Sequence, residues 1–308
     1  MIPFFAYLPS PPFDSIGVGP LEVHAYGVVI AIGVLVGMWI ARRRWTDRGG
    51  DPDDISSIAL AVVPAGLIGA RVYHLITDFS RYRGDWWRMF EIWEGGLGIF
   101  GAITAGVLAG VVVARRRHLS LPRLLDAAAP AIPVAQAIGR LGNWFNQELY
   151  GRPTDLPWAL RIDVDRRPDG LVDVAHYHPT FLYEGLWSLA LAGVLVLIGR
   201  RWRPRPGQLF ACYVAGYAMG RLWVETLRID PATDVLGLRV NLWVAGAVLV
   251  AAIAFIVINR RWGLTAEDEP PAALPPTSPA DHQDAGQRGE TAGLVSDPAG
   301  ETGSTLGR

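Results

Sequence analysis

The stretch Gly139-Arg-Leu-Gly-Asn-Trp-Phe-Asn-Gln-Glu-Leu-Tyr-Gly151 gathers a permanent cation (Arg140), two carboxamides (Asn143 and Asn146) and a carboxyl (Glu148) into one short run. A guanidinium forks onto an anion through parallel N–H donors, a carboxamide donates and accepts, and a carboxylate holds a cation or takes a proton. These groups follow an apolar run that begins near Leu121 and passes through Pro130, Pro133 and Ile138, so they fall where a membrane helix would end. Polar groups at membrane depth are costly and mark a functional site by default. The bland alternative is an arginine snorkelling to a headgroup, with asparagines capping the helix. That accounts for an isolated Arg better than for four polar groups bracketed by glycines.

A second polar set lies further on. Tyr217, Arg221, Glu225 and Arg228 follow one another at intervals of four, four and three, which lines them on one helix face. Such a face must point into a bundle or a wet cavity; its structural reading is an internal salt bridge that sets helix packing. A third group, His178-Pro-Thr-Phe-Leu-Tyr-Glu184, opens another apolar run, and His178 and Glu184 taken singly read as capping and orienting residues. Tyr26, just after His24, and Glu94-Gly-Gly-Leu-Gly-Ile-Phe-Gly101 begin two further runs.

The elements that must position these groups are legible in the composition. Of 308 residues 51% are hydrophobic, and apolar runs of roughly 18 to 22 residues recur, long enough to cross a bilayer. Seven spans are expected, at about 24–41, 55–76, 92–114, 121–145, 179–198, 207–226 and 240–258. The fold class is an all-α polytopic membrane protein. Arginine clusters at 42–44, 115–117, 200–203 and 260–261 follow spans one, three, five and seven. Positive charge marks the cytoplasmic side, so the N-terminus is expected outside and the C-terminus inside. Outer-loop arginines (Arg81, Arg83, Arg161, Arg166, Arg167) are dispersed among Asp residues, and tryptophans such as Trp86, Trp87, Trp93, Trp144 and Trp243 fall near span ends as interfacial anchors. The Pro-rich opening reads as an irregular lead-in. Residues 152–178, with the turn signal Arg167-Pro-Asp-Gly, read as a small hairpin-like extracytoplasmic cap. Residues 1–263 are expected to form one transmembrane domain that carries the candidate catalytic groups. Residues 264–308 contain no Phe, Trp or Tyr and are expected to be a disordered cytoplasmic tail.

Several chemistries are disfavoured. All 28 basic residues are Arg, so no lysine can form a Schiff base. The single Cys212 lies in an apolar run and reads as packing. No metal-ligand spacing is present, and neither a cofactor nor a nucleic-acid partner is expected. With this orientation, Arg140 and Arg221 approach the outer leaflet from different helices. Paired guanidiniums there suit a lipid phosphate, and glycines let the backbone approach a bulky headgroup.

At these residues the chain resembles the bacterial prolipoprotein diacylglyceryl transferases. The family signature Gly-Arg-x-Gly-Asn-x-x-Asn-x-Glu-x-x-Gly is matched at every fixed position by Gly139 to Gly151. Further matches are His24-Ala-Tyr-Gly, His178-Pro-Thr with Leu-Tyr-Glu184, and Gly220-Arg-Leu-Trp-Val-Glu-Thr-Leu-Arg228. The resemblance implies transfer of the diacylglyceryl group of phosphatidylglycerol to the lipobox cysteine of a prolipoprotein, at the plasma membrane, with release of glycerol phosphate. It implies that Arg140 and Arg221 bind the phosphate. Asn143, Asn146, Glu148 and Gly151 would shape the headgroup site, with Tyr26, Tyr217 and Glu225 beside it. One departure stands out: many members carry a histidine, proposed as general base, where this chain has Phe100. Glu148, Glu225, His24 and His178 are the open alternatives for the base. A lipid transporter or flippase, or a non-catalytic phospholipid-binding protein, are the rival readings; the lack of visible inverted repeats and of a second polar layer at the inner face weighs against transport.

Overall fold

The computed structural model describes residues 7–18, 21–82, 84–91, 95–202, 204–230 and 232–262. Expectations placed on Arg83, Trp93, Glu94, Arg203 and the tail 264–308, and on the side chains of Arg81, Arg260 and Arg261, lie outside the described residues. The described chain is mostly helical: α1 (Ala25–Thr46), α2 (Pro52–Thr77), α3 (Ile99–Arg116), α4 (Leu121–Ala128), α5 (Ala131–Asn146), α6 (Thr180–Arg201), α7 (Gln208–Glu225) and α8 (Val240–Trp262). Three antiparallel hairpins accompany them: β1 (Ser15–Val18) with β2 (Leu21–His24), β3 (Leu160–Arg161) with β4 (His176–Tyr177), and β5 (Asp234–Val235) with β6 (Leu238–Arg239).

Five helices, α1, α2, α3, α6 and α8, are long and apolar enough to cross a membrane. Their outward side chains, among them Leu35, Leu60, Ile68, Leu108, Leu197 and Val250, are apolar and exposed. An apolar surface of this extent is unsuited to water and suited to lipid. The two remaining long apolar runs depart from the expected pattern. The run 121–145 is two helices, because Pro130 has no N–H to continue the ladder and ends the first of them. Helix α7 is continuous but carries Arg221 and Glu225 in its last turns, which lowers its apolar character.

The short α4 has a structural task at one end of the bundle. Its buried Asp126 accepts from the backbone N–H of Gly207 at 2.8 Å and of Phe210 at 2.8 Å, closing the N-terminus of α7. Gly207 occupies the cap position with φ 84° and offers no side chain, so the capping carboxylate comes from another helix. At the same end Trp45 of α1 is fully buried and donates to Asp54 Oδ2 at 3.1 Å, while Arg117 pairs with Asp54 Oδ1 at 2.7 Å. One carboxylate thereby ties together the ends of α1, α2 and α3.

Small residues set the helix spacing, as in other membrane bundles. A Cβ at Gly33 of α1 would lie 2.9 Å from the carbonyl oxygen of Ala135 in α5, and one at Gly37 would lie 3.2 Å from the Ala135 methyl. Helix α3 starts at Ile99, later than the expected position 92. Before it, the short 3-10 turn Trp86–Phe90 and the glycines Gly95 and Gly96, both at positive φ, are held by the buried Arg71, whose guanidinium donates to the carbonyls of Met89 (2.9 Å), Gly95 (2.7 Å), Gly96 (3.3 Å) and Arg88. Arg71 therefore serves the backbone of this connection.

The expected cap over 152–178 contains a hairpin, although its strands are only the pairs Leu160–Arg161 and His176–Tyr177. Leu171 and Val174, which follow the Arg167-Pro-Asp-Gly signal, pack on its core from a turn. That core consists of Tyr150, Leu160, Ile162, Tyr177 and Phe181. The opening segment is less irregular than expected. Leu8 pairs with the hairpin edge, donating to Ala159 O at 2.9 Å and accepting from Arg161 N at 3.0 Å, and Ser15–Val18 pairs with Leu21–His24 as β1–β2.

Candidate active site

Helix α5 presents Arg140 and Asn143 one turn apart and ends at Asn146. Gln147 then takes the left-handed conformation (φ 52°), as does Leu149 (φ 56°), and these two turns fold Glu148 back over the helix end. Its N–H donates to Asn143 O at 3.1 Å. Glu148 Oε1 accepts from Asn143 Nδ2 at 2.9 Å and from Asn146 Nδ2 at 3.3 Å, while Asn143 Oδ1 accepts from Arg140 Nη1 at 3.3 Å. Arg140, Asn143, Asn146 and Glu148 are thus one hydrogen-bonded chain, and Asn143 joins its cation to its carboxylate.

Two glycines of that run are required by close approach. A Cβ at Gly142 would overlap the ring of Tyr26, which lies across α5 from α1 and within electrostatic range of Glu148 and Arg140. A Cβ at Gly151 would meet His178 Cβ at 2.8 Å and Leu227 O at 3.0 Å, where the cap over 152–178, the start of α6 and the end of α7 converge. His178 supports this crossing: its Nδ1 is 3.1 Å from the Tyr183 hydroxyl, and burial together with Arg152 holds its imidazole below the usual range.

Arg140 meets the other helices through Glu184. Its Nη2 pairs with Glu184 Oε2, and Glu184 Oε1 lies 3.9 Å from both Arg221 Nη1 and Arg228 Nη1. Arg221 also pairs with Glu225 at 2.8 Å. Glu225 in turn takes Arg239 Nε at 3.1 Å and Asn241 Nδ2 at 2.8 Å. Asp230 closes the ring, with Arg228 Nε at 2.7 Å and Arg239 Nη2 at 3.1 Å. Burial would raise the Asp230 carboxyl, but the hydrogen bond and charge of Arg228, with Arg239, hold it below the usual carboxylate range. Four guanidiniums thus share three carboxylates, leaving one positive charge in excess within the ion-paired set. Exposure decides which arginines can meet a ligand: side chains of Arg140 and Arg221 remain 21% and 20% exposed, against 6% for Arg228. A cavity of about 430 Å³ opens beside the network, lined by Asn146, Glu148, Tyr150, Arg166, Arg167 and Asp230 among others.

The sequence-based site is therefore largely assembled, with corrections. Arg140, Asn143, Asn146, Glu148, Arg221 and Glu225 are brought together, and Tyr26 and Gly151 border them. Arg228 does not share the α7 face, because the helix ends at Glu225 and Arg228 reaches the network from the following turn. Tyr217 lies one turn before Arg221 and packs against Tyr213, with ring centroids 6.2 Å apart, outside the ion-paired set. Glu184, read singly as structural, is the residue on which three arginines meet. Arg239 and Asn241, at the start of α8, were missed; a lone Arg with Asn at the beginning of the last apolar run was the available signal. Phe100 is 63% exposed and tilts against Tyr73 at 5.9 Å, so its position supplies no proton acceptor.

Comparison with known proteins bears on this arrangement. Residues 14–258 match the family model described as prolipoprotein diacylglyceryl transferase. A phosphatidylglycerol–prolipoprotein diacylglyceryl transferase of Streptomyces griseus is 47% identical over 259 residues, covering 83% of this chain and 78% of that protein. The Streptomyces coelicolor transferase 1 is 48% identical, covering 83% and 75%, and a transferase of the same description from Frankia alni is 50% identical, covering 83% and 68%. With the signature complete and its polar groups joined in one network, the chain belongs to the prolipoprotein diacylglyceryl transferase family.

Proposed function

We propose that this protein transfers the diacylglyceryl group of phosphatidylglycerol to the thiol of a prolipoprotein lipobox cysteine. The thiol sulfur forms a bond to the glyceryl carbon, the carbon–oxygen bond to phosphate breaks, and glycerol phosphate leaves. The phosphodiester monoanion becomes a phosphomonoester dianion, so the leaving group gains a negative charge. Preorganised donors aimed at developing charge are among the largest contributions to catalysis. Arg140 and Arg221 hold that position in this reading. The observation that carries it is their convergence on Glu184, inside a fully matched signature, with both guanidiniums still open. Asn143, Asn146, Gly151, Tyr26 and Tyr217 border the headgroup, and Glu225 fixes Arg221. No cofactor is required by this chemistry.

The membrane arrangement belongs to the same proposal. Helices α4 with α5, and α7, complete seven crossings alongside the five apolar helices, with the N-terminus outside and the C-terminus cytoplasmic. The site then faces the outer leaflet of the bacterial plasma membrane, residues 1–263 form the catalytic domain and 264–308 a cytoplasmic tail. The arginine clusters at the ends of α1, α3 and α6 support this orientation.

Purified protein in phosphatidylglycerol vesicles, given a lipobox peptide, is expected to yield a peptide heavier by one diacylglyceryl group and an equal amount of glycerol phosphate. Lipid flux without glycerol phosphate release would favour a flippase, and binding without turnover a scaffold. Gly142 provides a second check. Gly142→Ala pushes a methyl into the Tyr26 ring, and overpacking of this kind costs about 1–3 kcal/mol, so turnover is expected to fall about 10-fold or more. Gly139→Ala is expected to be milder, because its methyl would meet only the flexible end of Ile30 at 3.2 Å. Equal rates for the two variants would show that Tyr26 is not held by this contact.

A further inference from the structure

The thiol must lose its proton during transfer, and Phe100 leaves open where that proton goes. The carboxylates of the ion-paired set offer no accessible oxygen for it: the one oxygen without a hydrogen bond, Glu225 Oε2, is buried against Arg221. Both oxygens of Glu184, of Glu225 and of Asp230 lie against guanidinium groups, and the Glu225 side chain is 0% exposed. His178 is engaged by Tyr183 and packed over Gly151. Glu148 differs from all of these. It is exposed and lines the cavity of about 430 Å³. Its Oε1 is oriented by two carboxamides, at 2.9 Å and 3.3 Å, and among the described residues no guanidinium lies within ion-pair distance and no donor is bonded to Oε2. Asn143, which holds Oε1, also accepts from Arg140, so this carboxylate stands one side chain from the phosphate clamp.

We infer that Glu148 is the catalytic residue that takes the proton from the acceptor thiol; this rests on the transferase reading. As the sulfur–carbon bond forms and the carbon–oxygen bond breaks, the thiol proton passes to Glu148 Oε2. It is then released to water or to the departing phosphate dianion, which restores the carboxylate. A carboxylic acid is about four pH units more acidic than a thiol, so a thiolate is not formed in advance. Glu148 acts as the sulfur attacks, and assistance of this kind contributes about 10²–10⁴-fold. Carboxamide partners suit the task, since they orient one oxygen without committing the other.

The test is the pH–rate profile of the full-length protein in phosphatidylglycerol vesicles with a synthetic lipobox peptide. Wild-type turnover is expected to be flat between about pH 6.5 and 8.5, the range in which a free thiol ionises. Glu148→Gln is expected to be about 100-fold slower near neutrality. Its rate should climb about tenfold per pH unit until the thiol, near pKa 8.5, is ionised. Glu148→Asp should recover part of the rate and the flat profile. A deficit constant across pH would overturn the inference, as would near-wild-type turnover at neutrality or a climbing profile in His24→Gln instead. If Glu148→Gln does not fold, the wild-type profile decides, since a tenfold climb per unit in the wild type means that no base acts. Wild-type protein that forms no thioether overturns the transferase reading itself, whereas failure of the Glu148 variants alone leaves that reading standing.

Discussion

Arg140→Ala is expected to reduce diacylglyceryl transfer at least about 10³-fold in protein that still folds. Removing one donor aimed at developing negative charge costs about 10²–10³-fold in comparable sites. Two further losses follow here. Glu184 would keep only Arg221 and Arg228, each at 3.9 Å, so its charge would repel the incoming phosphate. Asn143 would lose the donor at 3.3 Å that fixes its carboxamide, and with it the orientation of Glu148. Arg140→Lys is expected to recover little, because an ammonium cannot reach Asn143 and Glu184 as a planar fork does. The measurement is turnover of a lipobox peptide by purified variants whose thermal unfolding remains cooperative. Near-normal turnover by folded Arg140→Ala would reject the phosphate role.

How much of this was readable beforehand depends on the range of the signal. Groups close in sequence were legible: the run 139–151 announced itself by composition, and the four-residue spacing of Arg221 and Glu225 placed them on one face of α7. The fold class followed from apolar runs, which report on lipid contact directly. The number of crossings was harder to read because two apolar runs are interrupted in different ways. Pro130 cuts the run 121–145 into two helices and leaves α5 only 16 residues long, while α7 carries Arg221 and Glu225, and neither is among the five helices long and apolar enough to span. The left-handed turns at Gln147 and Leu149 were not readable, since nothing in a non-glycine side chain announces a positive φ. Glu184 was underrated for a related reason. Its partners Arg140, Arg221 and Arg228 are remote in sequence, and no periodicity links them to it. Arg239 escaped because it stands alone before the last apolar run, and nothing in the sequence sets it beside Glu225 and Asp230.

Glu184 therefore carries the other large expected effect. Its side chain is only 11% exposed and holds Arg140 and Arg221 against one carboxylate. Removing one partner from a buried ion pair costs about 3–5 kcal/mol, because the remaining charges lose their counterion. Without it, the Arg140 and Arg221 guanidiniums would face each other with no shared counterion between them and repel. Glu184→Ala is thus expected to lower the unfolding temperature and to cut transfer more than about 100-fold, since the arginines spread apart and no longer clamp one phosphate. Glu184→Asp should recover part of both. A further outcome separates the counterion role from ordinary packing. If the carboxylate stands where anionic charge is needed, phosphatidylglycerol should raise the unfolding temperature of Glu184→Ala by more than that of the wild type, because the lipid phosphate then supplies the missing charge and ligand binding stabilises the folded state. Thermal unfolding in vesicles with and without phosphatidylglycerol reads this directly. Equal stabilisation of variant and wild type, with turnover preserved, would make Glu184 a packing residue and leave Arg221 held by Glu225 and Arg140 by Asn143.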